Sequence, residues 1–115
     1  MRRFFIEEAI LNAKKSRLHR SNHGAIIIYR GKIIGRGFNK ICVENINNIN
    51  RFSVHAEVDA IQNALRKISF TQLKYCTLVV VRVEKEGNTL NSKPCKYCTN
   101  FIKKCQISQC FYSSD

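Results

Sequence analysis

Cys76-Thr77-Leu78-Val79-Val80-Val81-Arg82-Val83 is the stretch whose reading settles the architecture. From Leu78 to Val81 no polar residue interrupts it, and valine favours extended backbone. A strand with one wet face alternates apolar and polar residues, whereas a continuous apolar run reads as a strand buried on both faces. Helical patterns flank it. Upstream, Val58, Ile61, Ala64, Leu65 and Ile68 share one face of a helix predicted over Val54 to Ile68. Downstream, Pro94 stands where a helix can begin, Cys95 to Lys104 continues it, and Gln109 to Ser113 reads as a short strand. A strand set between helices and followed by another strand implies crossovers and a parallel portion. Right-handed crossovers place both helices on one side of the sheet.

Working outward, residues 2–16 carry Phe5, Ile6, Ala9, Ile10 and Ala13 at helical spacing. Leu18 to His23 reads as a basic loop. Gly24 then opens the apolar run Ala25-Ile26-Ile27-Ile28-Tyr29, Arg30-Gly31 makes a tight turn, and Lys32 to Asn39 forms a second strand, giving a hairpin. Residues 40–53 are asparagine-rich without a clean period and read as a loop longer than most connections. Asn88 to Lys93 reads as a polar loop. The element order is α-β-β-α-β-α-β. Residues 1–115 make one domain, with no internal repeat, linker or low-complexity tract.

Composition narrows the function classes. A hydrophobic fraction of 44% supports a packed core and excludes disorder. The longest apolar runs are far too short to span a bilayer, so no membrane partner is expected. The segment Met1-Arg2-Arg3-Phe4-Phe5-Ile6-Glu7-Glu8 lacks a secretory apolar region, because two glutamates interrupt it. The chain therefore reads as intracellular and cytoplasmic, with its six cysteines reduced. Cys42, Cys76, Cys105 and Cys110 read as small buried hydrophobes. The formal charge of +12, from 20 basic and 8 acidic residues, points to an anionic partner, a nucleotide or a nucleic acid. The basic segment Lys14 to Arg20, with Arg51, is a candidate phosphate contact.

Two short motifs carry the chemistry: His55-Ala56-Glu57 and Pro94-Cys95-Lys96-Tyr97-Cys98. They offer three zinc ligands, His55, Cys95 and Cys98, beside one carboxylate. A structural zinc takes four protein ligands, while a catalytic zinc takes three and keeps a position for water. Glu57 supplies the proton-transfer group that such a site needs. A lone Cys-x-x-Cys also suits a redox centre or half a zinc knuckle. The upstream His-x-Glu separates this pattern from both. His-x-Glu followed by Pro-Cys-x-x-Cys is the signature of zinc deaminases acting on nucleobases. His55 and Glu57 lie about 200° apart on an ideal helix. Both reach one pocket only if they sit at the helix start, where the backbone is not yet helical.

Val54-His55-Ala56-Glu57-Val58-Asp59-Ala60-Ile61 and Ser92-Lys93-Pro94-Cys95-Lys96-Tyr97-Cys98 resemble the cytidine and deoxycytidylate deaminase superfamily. The resemblance runs from His23-Gly24-Ala25 to the closing Phe111-Tyr112-Ser113-Ser114-Asp115. It implies a three-layer α/β fold of cytidine-deaminase type: a mixed sheet with a β1-β2 hairpin, parallel crossovers and helices on both faces. It implies one catalytic Zn²⁺ on His55, Cys95 and Cys98, with Glu57 as proton shuttle. Substrate contacts are implied for Asn39, the backbone of Ala56 and His23. A histidine at position 55 is unlike the free cytidine deaminases and similar to deoxycytidylate, tRNA adenosine, guanine and riboflavin-pathway deaminases. Asp59 departs from the asparagine common among deoxycytidylate deaminases. Family members usually continue with a fifth strand and a terminal helix, so the resemblance implies a minimal member or a partner chain, and a homo-oligomer. The expected function is hydrolytic deamination of a deoxycytidylate-like cytosine nucleotide. The alternatives are a deaminase acting on single-stranded DNA or tRNA, with Phe52 and Tyr97 as stacking candidates, and a non-catalytic zinc-stabilised scaffold.

Overall fold

The apolar run forms strand β5 (Thr77–Val83) at the centre of the sheet in a computed structural model of the chain, which describes residues 2–17, 22–43, 51–84 and 88–114. On one edge of β5 lies β1 (Asn22–Tyr29), antiparallel from Asn22 opposite Val83 to Ile28 opposite Thr77. β2 (Lys32–Phe38) returns beside β1 through the predicted hairpin. Arg30 and Gly31 both have positive φ, 51° and 78°. A two-residue turn with that geometry matches the twist of the strands it joins. The other edge of β5 is shared. β7 (Gln109–Tyr112) runs parallel to its first half, and β6 (Thr89–Leu90) pairs antiparallel with Arg82 and Val83.

Alternation along β1 and β5 builds two cores. Ile26, Ile28, Val79, Val81 and Val83 face α1 (Arg3–Ala13), which buries Phe5, Ala9 and Ala13 against them. Ala25, Ile27, Leu78 and Val80 face the opposite way. They meet Ala56, Ala60, Ile61 and Ala64 of α2 (Ala56–Ala64) and Ile102 and Cys105 of α3 (Lys96–Cys105). The result is the expected three-layer α/β arrangement, with both crossover helices on one face. α2 lies close to β2 because a Cβ at Gly37 would collide with the backbone of Ala56 and Ala60. Cys76 and Cys105 are buried as expected and Cys110 is partly so. The side chain of Cys42 lies outside the described residues.

Three elements differ from the sequence reading. The expected loop at 40–53 contains β3 (Lys40–Val43) and β4 (Arg51–Val54), paired as a separate two-stranded sheet, with residues 44–50 outside the described set. Its pairing is made by backbone, so no apolar alternation announces it. The second helix is shorter than expected. It ends at Ala64, and a 3-10 helix follows at Phe70–Tyr75. Ser69 starts that segment with a capping box, its backbone N–H donating to Gln72 Oε1 at 2.8 Å. The polar loop at 88–93 includes the two residues of β6.

Candidate metal centre and active site

β2, β5 and β7 point the same way, and β1 begins where they end. Two helix starts meet at that edge of the sheet. His55 is the N-cap of α2, with extended backbone at φ −77° and ψ 150°. Glu57 is already helical. The change of backbone between them lets both side chains serve one site, as the sequence required. Cys95 is the N-cap of α3, and its Sγ accepts a hydrogen bond from the Cys98 backbone N–H at 3.4 Å. Pro94 precedes it, and Cys98 lies one turn into the helix.

These segments bring His55, Cys95 and Cys98 together, with one donor atom from each and all within 4.8 Å of one another. Around one tetrahedral zinc, sulfur and nitrogen ligands stand about 3.5 Å apart, given the usual bond lengths. Cys95 Sγ and His55 Nδ1 are 3.6 Å apart, which fits. Cys98 Sγ and His55 Nδ1 are closer, at 2.8 Å, a direct contact that must open slightly to admit an ion. Two sulfurs and an imidazole suit zinc and exclude the hard, oxygen-seeking cations. Burial, then the nearby Glu57 carboxylate, push the Cys98 thiol well above its ordinary range. A divalent cation reverses that preference and makes the thiolate the stable form. The residues present therefore fit a single zinc, and one protein carboxylate stands beside it.

That carboxylate is Glu57, only 4% exposed although it bears an ionisable group. Burial raises its pKa, and its own backbone N–H and His55 partly oppose the rise. It lines a cleft of about 290 Å³ together with His23, Asn39, His55, Ala56 and Cys95. His23, Asn39 and Ala56, for which the resemblance implies substrate contacts, are together in this cavity. Asn39 Oδ1 accepts from the His23 backbone N–H at 2.8 Å, and the Asn39 backbone N–H donates to the His23 carbonyl at 3.2 Å. The pair thereby ties the end of β2 to the start of β1. Asp59 does not line the cleft. It accepts from the Phe38 N–H at 3.2 Å and pairs with Lys40 at 3.1 Å, anchoring the chain as it leaves β2.

The sequence reading missed one wall of the cleft, Ser92-Lys93-Pro94, and Val54 beside His55. Ser92 is 1% exposed. Its hydroxyl donates to the Val80 carbonyl at 2.9 Å and accepts from the Ser113 N–H at 2.7 Å. The cysteine loop is thus fastened to β5 and to the residue after β7. No local signal marks Ser92, because its partners are set by tertiary structure. The expected phosphate contacts fare differently. Lys14, Lys15 and Arg17 are described and none lines the cleft, while Leu18 to Arg20 and the side chains of Arg51 and Phe52 lie outside the described residues. Tyr97 is exposed, its ring edge-on to His55 with centroids 6.4 Å apart. Among the described residues, no helix is long and apolar enough to cross a membrane.

Residues 1–114 match the family model of the cytidine and deoxycytidylate deaminase zinc-binding region. No curated protein sequence matches the chain. Among solved structures, the apo dCMP deaminase of cyanophage S-TIM5 aligns with a TM-score of 0.73 at 21% identity, over 99% of this chain and 86% of that one. The same phage enzyme in complex with dCMP and dUMP aligns with a TM-score of 0.68 at 22% identity, over 96% and 81%. The guanine deaminase of Bacillus subtilis aligns with a TM-score of 0.67 at 25% identity, over 99% and 65%. The phage structures establish likeness of fold.

Proposed function

We propose that this chain, which belongs to the cytidine and deoxycytidylate deaminase zinc-binding family, hydrolyses the exocyclic amino group of a cytosine nucleotide of the dCMP type. The observation that carries the reading is a buried carboxylate, Glu57, in the cleft lined by His55 and Cys95 of a three-ligand zinc set. A fourth protein ligand would make the metal structural, and a scaffold has no use for a buried proton acceptor there.

In this reading His55, Cys95 and Cys98 hold the zinc, which supplies Lewis-acid activation of water. Glu57 accepts a proton from the attacking water as oxygen bonds to C4, and passes it to the ring nitrogen. The second proton of that water, now on the C4 hydroxyl, moves through Glu57 to the exocyclic nitrogen. The C4–N bond breaks, C4 keeps the oxygen as a carbonyl, and ammonia departs. Burial raises the pKa of Glu57 and so strengthens it as a proton acceptor. In this reading the Ala56 backbone, at the helix start, meets the base, and Asn39 and His23, which line the same cleft, contact the nucleotide. The described residues act as part of one domain, and Phe111 and Tyr112, exposed on β7, favour assembly of several copies.

The test is ammonia release by purified, zinc-loaded protein offered dCMP, with cytosine, adenine and guanine compounds as comparators. Conversion of dCMP to dUMP is the expected result, and turnover of guanine alone overturns the reading. A second reading, action on single-stranded nucleic acid, is favoured by the charge of +12 and by exposed Tyr97 near His55. It requires turnover of cytosine in an oligonucleotide, with binding that weakens steeply as salt is raised.

A further inference from the structure

Glu57, buried beside the metal ligands, and Lys93, exposed to solvent, both line the cleft. Among the described residues, those lining the cleft whose side chains can carry charge are His23, His55, Glu57, Lys93 and Cys95. His55 and Cys95 belong to the metal set, and Glu57 to proton transfer. Lys93 is the lysine among them, and it has no ion-pair partner among the described residues.

Its placement is built. The Lys93 backbone N–H donates to Asn91 Oδ1 at 2.8 Å, closing a local turn. Ser92 before it is pinned to Val80 and Ser113. Pro94 after it has a fixed φ and leads directly into a metal ligand. Three constraints on consecutive residues hold the Lys93 backbone at the cavity wall, while its side chain remains in water.

We infer that Lys93 binds the 5′-phosphate of the substrate and makes the enzyme selective for a nucleotide over the corresponding nucleoside. The inference rests on the deaminase reading above and deepens it. A cytosine nucleotide has its reactive amino group at one end and its phosphate at the other. The cleft likewise brings a buried carboxylate and metal ligands together with a solvent-exposed lysine. A solvated lysine is a good point charge for phosphate and leaves the chemistry at C4 untouched.

The experiment compares kcat/KM for deoxycytidine 5′-monophosphate, deoxycytidine and a short deoxycytidine oligonucleotide, in the wild-type protein and in Lys93→Ala and Lys93→Arg. The wild type prefers the mononucleotide. In Lys93→Ala the ratio of mononucleotide to nucleoside falls about 10- to 100-fold, mainly through KM, as for loss of one hydrogen bond to a charged group. Lys93→Arg keeps most of the ratio. A ratio unchanged in Lys93→Ala, or a wild type indifferent to phosphate, overturns the inference while the deaminase reading stands. Preference for the oligonucleotide over the mononucleotide overturns it in favour of backbone phosphodiester contact. If nothing is deaminated, the deaminase reading fails. Calorimetric binding of deoxycytidine 5′-monophosphate then still reads Lys93, and equal affinity in wild type and Lys93→Ala overturns the inference on its own.

Discussion

Glu57 and the three ligands divide their work in a way substitution separates. Glu57→Gln keeps size and hydrogen bonding but removes the proton acceptor. It is expected to lower kcat by about 10²- to 10⁴-fold while zinc stoichiometry, read by elemental analysis, stays at the wild-type level. Cys98→Ser attacks the metal instead. Replacing a thiolate inside a buried site removes a soft ligand, so zinc content and activity fall together. The motif residues were legible because zinc dictates both ligand type and spacing. Lys93 and Ser92 adjoin Cys95 in sequence, yet their roles were not legible. One depends on which way a loop faces, and the other on carbonyl and amide groups of β5 and the segment after β7.

Strands and helices were legible where burial is repetitive. β1 and β5 each feed two cores, so their apolar runs are long, and α2 and α3 show one apolar face apiece. β3 and β4 were not, since a two-stranded sheet held by backbone pairing imposes no period on its side chains. The 3-10 helix at Phe70–Tyr75 had a readable start in Ser69 and Gln72, a capping pattern that stood outside the helical period. The fit of α2 on β2 is sensitive to volume. Gly37→Ala drives a methyl group into the α2 backbone and is expected to cost about 1–3 kcal/mol, seen as a lower urea midpoint. Ser92→Ala removes the hydroxyl that bridges Val80 and Ser113, while the Ser113 N–H keeps its bond to the Val80 carbonyl at 3.0 Å. It is expected to cost about 0.5–1.5 kcal/mol and to weaken zinc retention, measured by competition with a chelator.

The metal group joins α2 to α3 across one face of the sheet, so the ion ties distant parts of the chain. A zinc that binds only the folded state adds stability by mass action, about 4 kcal/mol when free metal exceeds its dissociation constant a thousandfold. Removing it with a strong chelator is expected to lower the melting temperature by several degrees and abolish ammonia release. Zinc restores both, and magnesium restores neither.

The seam between Ser92 and Ser113 also sets a schedule for biosynthesis. During translation the His-Ala-Glu segment emerges early, and the cysteine pair follows some forty residues later. The loop that presents those cysteines has only its Ser92–Val80 bond to β5 until Ser113 has left the ribosome and joined Ser92. A nascent chain halted shortly before that serine would carry every ligand and still grip its ion poorly.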